Sequence, residues 1–235
     1  MSVDTKTKPL LILLPGMDGT GELFAPFLRE LDSDIEVLVV AYPCDEAWNY
    51  LQLEHHVRGY LPINRPYVLL GESFSGPIAI AIAASRPPQL IGLILCCTFA
   101  RNPQALLAPF RACLRLLPKQ FLPDWCIWKP MLAGYVTPEL KRILLEATAK
   151  VSSRALQTRG IAALSVDYTD MVSSLTLPIL YLRALDDWVV PKSATLHLLA
   201  QSPHIVVVDF HAPHFLLQVK ARDAARVIER FFRSF

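Results

Sequence analysis

A chain of 235 residues with 53% apolar and 19% charged side chains holds enough material for one packed core, or at most two small ones, and has no disorder signature. Lys and Arg exceed Asp and Glu by 23 − 21 = 2, which excludes a nucleic-acid binder that works by bulk charge. Apolar runs such as Leu10–Leu14 and Leu90–Cys97 fall short of the roughly 20 residues that span a bilayer. The opening Met1–Lys8 lacks the apolar stretch and small-residue cleavage site of a signal peptide, so a cytoplasmic location is expected. In chain order, strands are predicted at Leu10–Leu14, Ile35–Ala41, Tyr67–Leu70, Leu90–Cys96, Ile179–Arg183 and Ile205–Asp209. Helical patterns fill the gaps at Glu22–Leu31, Ala47–Tyr60, Phe74–Ser85, Ser193–Ala200 and Ala221–Phe232. Short aliphatic runs alternating with helices point to an α/β class with a doubly wound, mostly parallel six-stranded sheet. Between Thr98 and Leu177 the rhythm breaks. That stretch has no convincing strand but does have apolar helical segments, such as Leu106–Leu117 and Pro138–Ala149. It is too long for a plain loop, and a helical cap over residues 98–176 is expected, with residues 1–97 and 177–235 as the core domain.

After the third strand comes Gly71-Glu72-Ser73-Phe74-Ser75-Gly76, followed at once by an Ala/Ile-rich helix. A serine on so sharp a strand-to-helix turn projects above the sheet, with the next N–H and the helix's positive end facing any oxyanion formed there. Strand and helix crowd each other, so small residues are needed two positions either side of the serine. Gly71 meets this, while Ser75 stands where a glycine is usual. Taking Ser75 as nucleophile would put Ser73 and Pro77 at the crowded positions, so Ser73 is the better candidate. An ordinary N-cap serine is the plainer alternative.

The elbow in this context resembles that of the α/β-hydrolase superfamily, and the resemblance runs from Leu10 to about Arg230. Within it the chain resembles compact bacterial carboxylesterases, among them the pimeloyl-carrier-protein methyl ester esterases. Its opening Leu14-Pro15-Gly16-Met17-Asp18-Gly19-Thr20-Gly21 is similar to that of the phytyl ester synthase group. The resemblance implies a trimmed version of the fold and an oxyanion hole made by the N–H groups of Met17 and Phe74, with Gly16 at the substrate. Many relatives carry His-Gly where this chain has Pro15-Gly16, so a histidine side-chain bond is lost while backbone donation is kept.

The superfamily's order is serine, acid, histidine. Asp186 and Asp187 follow the fifth strand; Asp187 has the family's spacing to Pro191, and Asp186 is the alternative. His211 and His214 follow the sixth strand, and Pro213-His214-Phe215 matches the family pattern better. His55, His56, His197 and His204 lie in helices or at a strand start. No metal-ligand spacing exists, and neither metal nor cofactor is expected. The cysteines (Cys44, Cys96, Cys97, Cys113, Cys126) show no disulfide framework and read as reduced thiols.

The reading is therefore a serine carboxylic ester hydrolase with Ser73, Asp187 and His214 as its triad. Thioester hydrolysis, carrier-protein methyl ester hydrolysis and acyl transfer to an alcohol are alternatives of the same class. A non-catalytic binding module on the same scaffold is the alternative from another class. Large apolar side chains of the cap, Trp125 and Trp128 among them, suggest an apolar acyl pocket, although cap helices bury such residues whatever the substrate. Arg111, Arg115, Lys119, Lys129, Lys141, Arg142, Arg154 and Arg159 give the cap positive charge. Such residues are ordinarily a solvated face; the sharper expectations are a dock for an acidic acyl-carrier protein or a rest on a lipid surface.

Overall fold

The computed structural model describes residues 8–104, 109 and 123–235. Among them, six strands form one parallel sheet: β1 (Leu10–Leu14), β2 (Val37–Val39), β3 (Tyr67–Glu72), β4 (Leu90–Cys96), β5 (Ile179–Ala184) and β6 (Val206–Phe210). Their spatial order is β2-β1-β3-β4-β5-β6. The continuous apolar runs are explained by two covered faces. Leu10, Ile12 and Leu14 enter one core cluster while Leu11 and Leu13 enter the other, and Tyr67/Leu69 against Val68/Leu70 repeat the alternation. The first face is covered by α2 (Tyr50–Arg58), α3 (Gly76–Ala84) and α8 (Lys192–Gln201), through Leu53, Val57, Ile78, Ile82 and Leu198. The second is covered by α1 (Ala25–Glu30), α9 (Leu216–Val219) and α10 (Ala221–Phe232), through Phe27, Leu216, Ile228 and Phe232.

β2 and α2 are shorter than expected, each for a local reason. β2 is an edge strand that pairs with β1 over Val37, Leu38 and Val39 alone, so the apolar run Ile35–Ala41 is only partly ladder. α2 starts at Tyr50 rather than Ala47 because Asn49 caps it: its side chain accepts from the Gln52 N–H, and the Gln52 side chain accepts from the Asn49 N–H.

Between β4 and β5 lie α4 (Trp125–Leu132), α5 (Pro138–Lys150), α6 (Ser153–Ala163) and α7 (Thr169–Ser173), of which the sequence reading had located only α5. The helix expected at Leu106–Leu117 lies outside the described residues, as do Arg111, Cys113, Arg115 and Lys119. α4 and α5 share a third cluster in which Leu132, Leu144 and Ala147 meet Leu23 and Phe215. One expectation is corrected here: Arg159, grouped with the solvated cations, is fully buried. Its place in α6 turns it inward under the β1 loop, whereas Lys129, Arg142 and Arg154 are exposed. No helix among the described residues is long and apolar enough to cross a membrane.

Candidate active site

The chain reverses direction across the sheet between β1 and β3, and the loops at the strands' C-terminal ends gather there. Ser73 follows β3 directly and sits at φ 49°, a left-handed conformation that a serine adopts only when its surroundings hold it there. Thr98 Oγ1 donates to the Ser73 carbonyl, and Tyr50 donates from its hydroxyl to the Phe74 carbonyl at 3.0 Å while its ring stacks on Phe74. The crowding is severe: a Cβ on Gly71 would lie 2.9 Å from the Ala79 Cβ, and one on Gly76 would lie 1.9 Å from Thr98 Oγ1. The second small-residue position is thus Gly76 rather than residue 75. Ser75 is buried and committed elsewhere, with its hydroxyl bonded to Tyr42 Oη at 2.5 Å and donated to the Pro15 carbonyl. It has no exposed oxygen with which to attack a substrate.

Ser73, His214 and Asp187 form one run of hydrogen bonds. Ser73 Oγ is 2.7 Å from His214 Nε2, and His214 Nδ1 is 2.8 Å from Asp187 Oδ2. The carboxylate only accepts, so the imidazole proton sits on Nδ1 and Nε2 is left to take the proton of Ser73. The other carboxylate oxygen of Asp187 accepts from the Val189 and Val190 N–H groups, both at 2.8 Å, which orients it towards the ring. Asp186 turns away, accepting from Tyr135 Oη at 2.8 Å, and His211 is exposed. Burial works against charging His214, but Asp187, by charge and by hydrogen bond, and Glu72 more than offset it, so the imidazole pKa stands above its ordinary value.

The sequence reading did not find Glu72, although it lies in the elbow itself. Its carboxyl is buried beside the site, accepts from Gln218 Nε2 at 3.2 Å and lies against the Gly16 N–H. Burial pushes its pKa up to about 7. Among the described residues, no turn, loop or cap hydrogen bond engages the backbone N–H of Met17 or of Phe74. Gly16 is buried beside Glu72. Of the two cap tryptophans, Trp128 packs against the cluster of Leu23 and Phe215 with Lys141 over its ring, while Trp125 is 56% exposed. Cys96 and Cys97 are buried and burial raises both thiols, which leaves them inert.

The first residues after β1 are held peptide by peptide. The Gly16 carbonyl accepts from the Gly19 N–H at 3.1 Å, and the Met17 and Asp18 carbonyls accept from Arg159. No motif spacing signals Arg159, Tyr42 or Tyr135, which reach the site from elements distant in sequence.

A family model described as serine aminopeptidase, S33, matches residues 49–211, more than half of the chain. Phytyl ester synthase 1, chloroplastic, of Arabidopsis thaliana is 31% identical over 121 residues, which take in 48% of this chain and only 17% of that protein. The enol-lactonase from Burkholderia xenovorans LB400 superposes with a TM-score of 0.84 at 16% identity, over 97% of this chain and 92% of that one. An esterase from Exiguobacterium antarcticum gives 0.82 at 15%, over 97% and 93%. A thermophilic esterase from Thermogutta terrifontis gives 0.81 at 19%, over 98% and 91%. At these identities the likeness to the solved structures is one of fold.

Proposed function

The chain belongs to the serine aminopeptidase S33 family of α/β-hydrolases, and from that footing we propose that it is a serine-dependent carboxylic ester hydrolase. The observation that carries the reading is the Ser73–His214–Asp187 run at 2.7 and 2.8 Å. Ser73 Oγ attacks the ester carbonyl carbon as its proton passes to His214 Nε2. The carbonyl oxygen becomes an oxyanion held by the Met17 and Phe74 N–H groups, each contributing on the order of 3 kcal/mol. Collapse expels the alcohol, which takes the proton from His214. Water then attacks the acyl-enzyme and gives a proton to the same nitrogen, and collapse releases the carboxylic acid while that proton returns to Ser73 Oγ. Asp187 orients the imidazole and stabilises the imidazolium that forms.

The helices between β4 and β5 act as the cap in this reading. Two contacts support it: the Phe215 N–H donates to the Met131 carbonyl at 3.1 Å, and Tyr135 holds Asp186, so α4 and its C-terminal turn lie against both loops. Gly16 and Trp128 then border the acyl group, with Trp125 at the outer rim, and an acidic carrier protein would meet Lys129, Arg142 and Arg154. Acyl transfer to an alcohol is the second reading, favoured by the likeness to the plant phytyl ester synthase.

The test is hydrolysis of p-nitrophenyl esters from acetyl to palmitoyl by wild type and Ser73→Ala, with aminoacyl p-nitroanilides and an added long-chain alcohol in parallel. Hydrolysis with a chain-length optimum, lost in the variant, supports the esterase. Preferred cleavage of the anilides makes it a peptidase, and ester formed with the added alcohol makes it a transferase. Wild-type turnover retained by a folded Ser73→Ala chain refutes the assignment of the nucleophile.

A further inference from the structure

We infer that Arg159 of α6 is a positioning residue that sets the oxyanion-binding peptide of the Met17 loop, so that the seating of α6 is a condition for turnover. The inference rests on the serine-hydrolase reading above. Arg159 is fully buried, yet none of its nitrogens bonds a carboxylate among the described residues. Its guanidinium is spent on backbone instead. Nη1 donates to the Met17 carbonyl at 3.0 Å and to the Asp18 carbonyl at 2.8 Å, while Nη2 donates to the Pro43 carbonyl at 2.8 Å. Nε is buried with no partner among the described residues, and the Tyr42 ring lies 5.7 Å from the guanidinium carbon. A buried cation that leaves a donor unsatisfied is a costly way to fill space, and an apolar side chain would fill it more cheaply. What the arginine supplies is direction for three carbonyls.

The direction matters because a trans peptide points its C=O and N–H opposite ways. The peptide joining Gly16 to Met17 has its carbonyl drawn to the Gly19 N–H, so the Met17 N–H faces the other way. The next two peptides are fixed by Arg159. The peptide before it is fixed by Ser75 at the Pro15 carbonyl, with Glu72 beside its N–H. The loop is therefore clamped on both sides of the Met17 N–H, the one it contributes to the proposed mechanism. Gly19 is shaped to the arginine: at φ +73° a Cβ there would lie 2.7 Å from Arg159 Nη1. The guanidinium and the loop fit only together, and Arg159 comes from a helix between β4 and β5 rather than from the sheet layers.

Arg159→Lys, which keeps the charge, and Arg159→Gln, which loses it, decide the matter when compared with wild type per active site. Sites are titrated with a fluorophosphonate, and folding is checked by circular dichroism. The expected result is a kcat lower by about 100-fold in Arg159→Gln and by less in Arg159→Lys, with KM within about twofold. Inhibition by a trifluoromethyl ketone, whose adduct with Ser73 carries an oxyanion, should weaken by the same factor as kcat/KM falls. A purely structural role would reduce the number of titratable sites and leave kcat and ketone affinity per site unchanged. That pattern in a folded Arg159→Lys chain overturns the inference, even where Arg159→Gln does not fold. A wild type that neither hydrolyses esters nor takes the label refutes the serine-hydrolase reading first, and this inference with it.

Discussion

Around Ser73 the backbone carbonyls are tied down from within the core: Thr98 holds that of Ser73, Tyr50 that of Phe74 and Ser75 that of Pro15. Around His214 the loop after β5 holds Asp187 through the Val189 and Val190 N–H groups, and further ties come from outside the sheet layers. The Met131 carbonyl accepts from the Phe215 N–H, Tyr135 donates to Asp186, and Phe215 packs with Leu132 and Leu144. The serine side is thus built by the same packing that makes the sheet, whereas the imidazole side borrows part of its support from helices that the sheet does not need. Arg159 is the exception, a residue of those helices that reaches the serine side. Damage at the elbow should cost stability and activity together. Damage at the acid and base should cost activity with little change in fold.

The sharpest contrast is Asp187→Asn. Amide replacement keeps the shape but presents a donor to Nδ1, which moves the imidazole proton to the wrong nitrogen; kcat should fall by about 10⁴-fold with Tm nearly unchanged. The same change at Asp186, which faces Tyr135, should leave most of the activity, and equal losses in the two variants would erase the distinction between them.

On the serine side, Gly76→Ala forces a Cβ to within 1.9 Å of Thr98 Oγ1. Unfolding in denaturant should show a loss of about 3 kcal/mol, as in other overpacked sites, together with lower activity. Adding Thr98→Ala removes the obstacle and should recover part of the stability; strict additivity of the two changes would mean that the contact carries no strain.

Glu72→Gln probes the carboxyl between the two sides. Its folded-state pKa of about 7 lies above the ordinary 4.5, so the native state holds the proton more tightly and stability falls as pH rises through that window. The glutamine variant should match wild type below pH 4.5 and exceed it by about 3 kcal/mol above pH 7. Glu72 also raises the pKa of His214, so the acid limb of kcat/KM should move to lower pH in the variant. Melting curves and rate profiles that run parallel to wild type at every pH would exclude both effects.

The smallest change is expected from Tyr135→Phe, which frees Asp186 but leaves the Asp187–His214 bond intact. A fewfold drop in kcat with an unaltered Tm would match the division between the two sides. A large fall in Tm would mean that the two are coupled.

Much of this was legible in one dimension. All six strands, the elbow and the pairs Asp186/Asp187 and His211/His214 are local patterns: an apolar run, a Gly-x-Ser turn, a polar loop after a strand. The apolar run Ile35–Ala41 overstates the edge strand β2, because an apolar run does not say how much of it finds a partner. In sequence Arg159 is one cation among several of the cap, since composition cannot tell which face of a helix points inward; in the fold it is buried. Ser75 looked like a defect in the small-residue pattern until its hydroxyl met Tyr42 and Pro15.

The order of residues along the chain is enough to dictate which segments become strands and where a serine must stand on a strained turn, since those depend on near-neighbour sterics and a two-residue alternation. Which aspartate faces the imidazole, how far Glu72 and His214 shift, and what holds the Met17 loop were decided only when distant segments packed. Arg159 and Met17 are 142 positions apart and Ser73 and His214 are 141. Desolvation and hydrogen-bond direction act through space, over a few ångströms, and arise only once the core has closed.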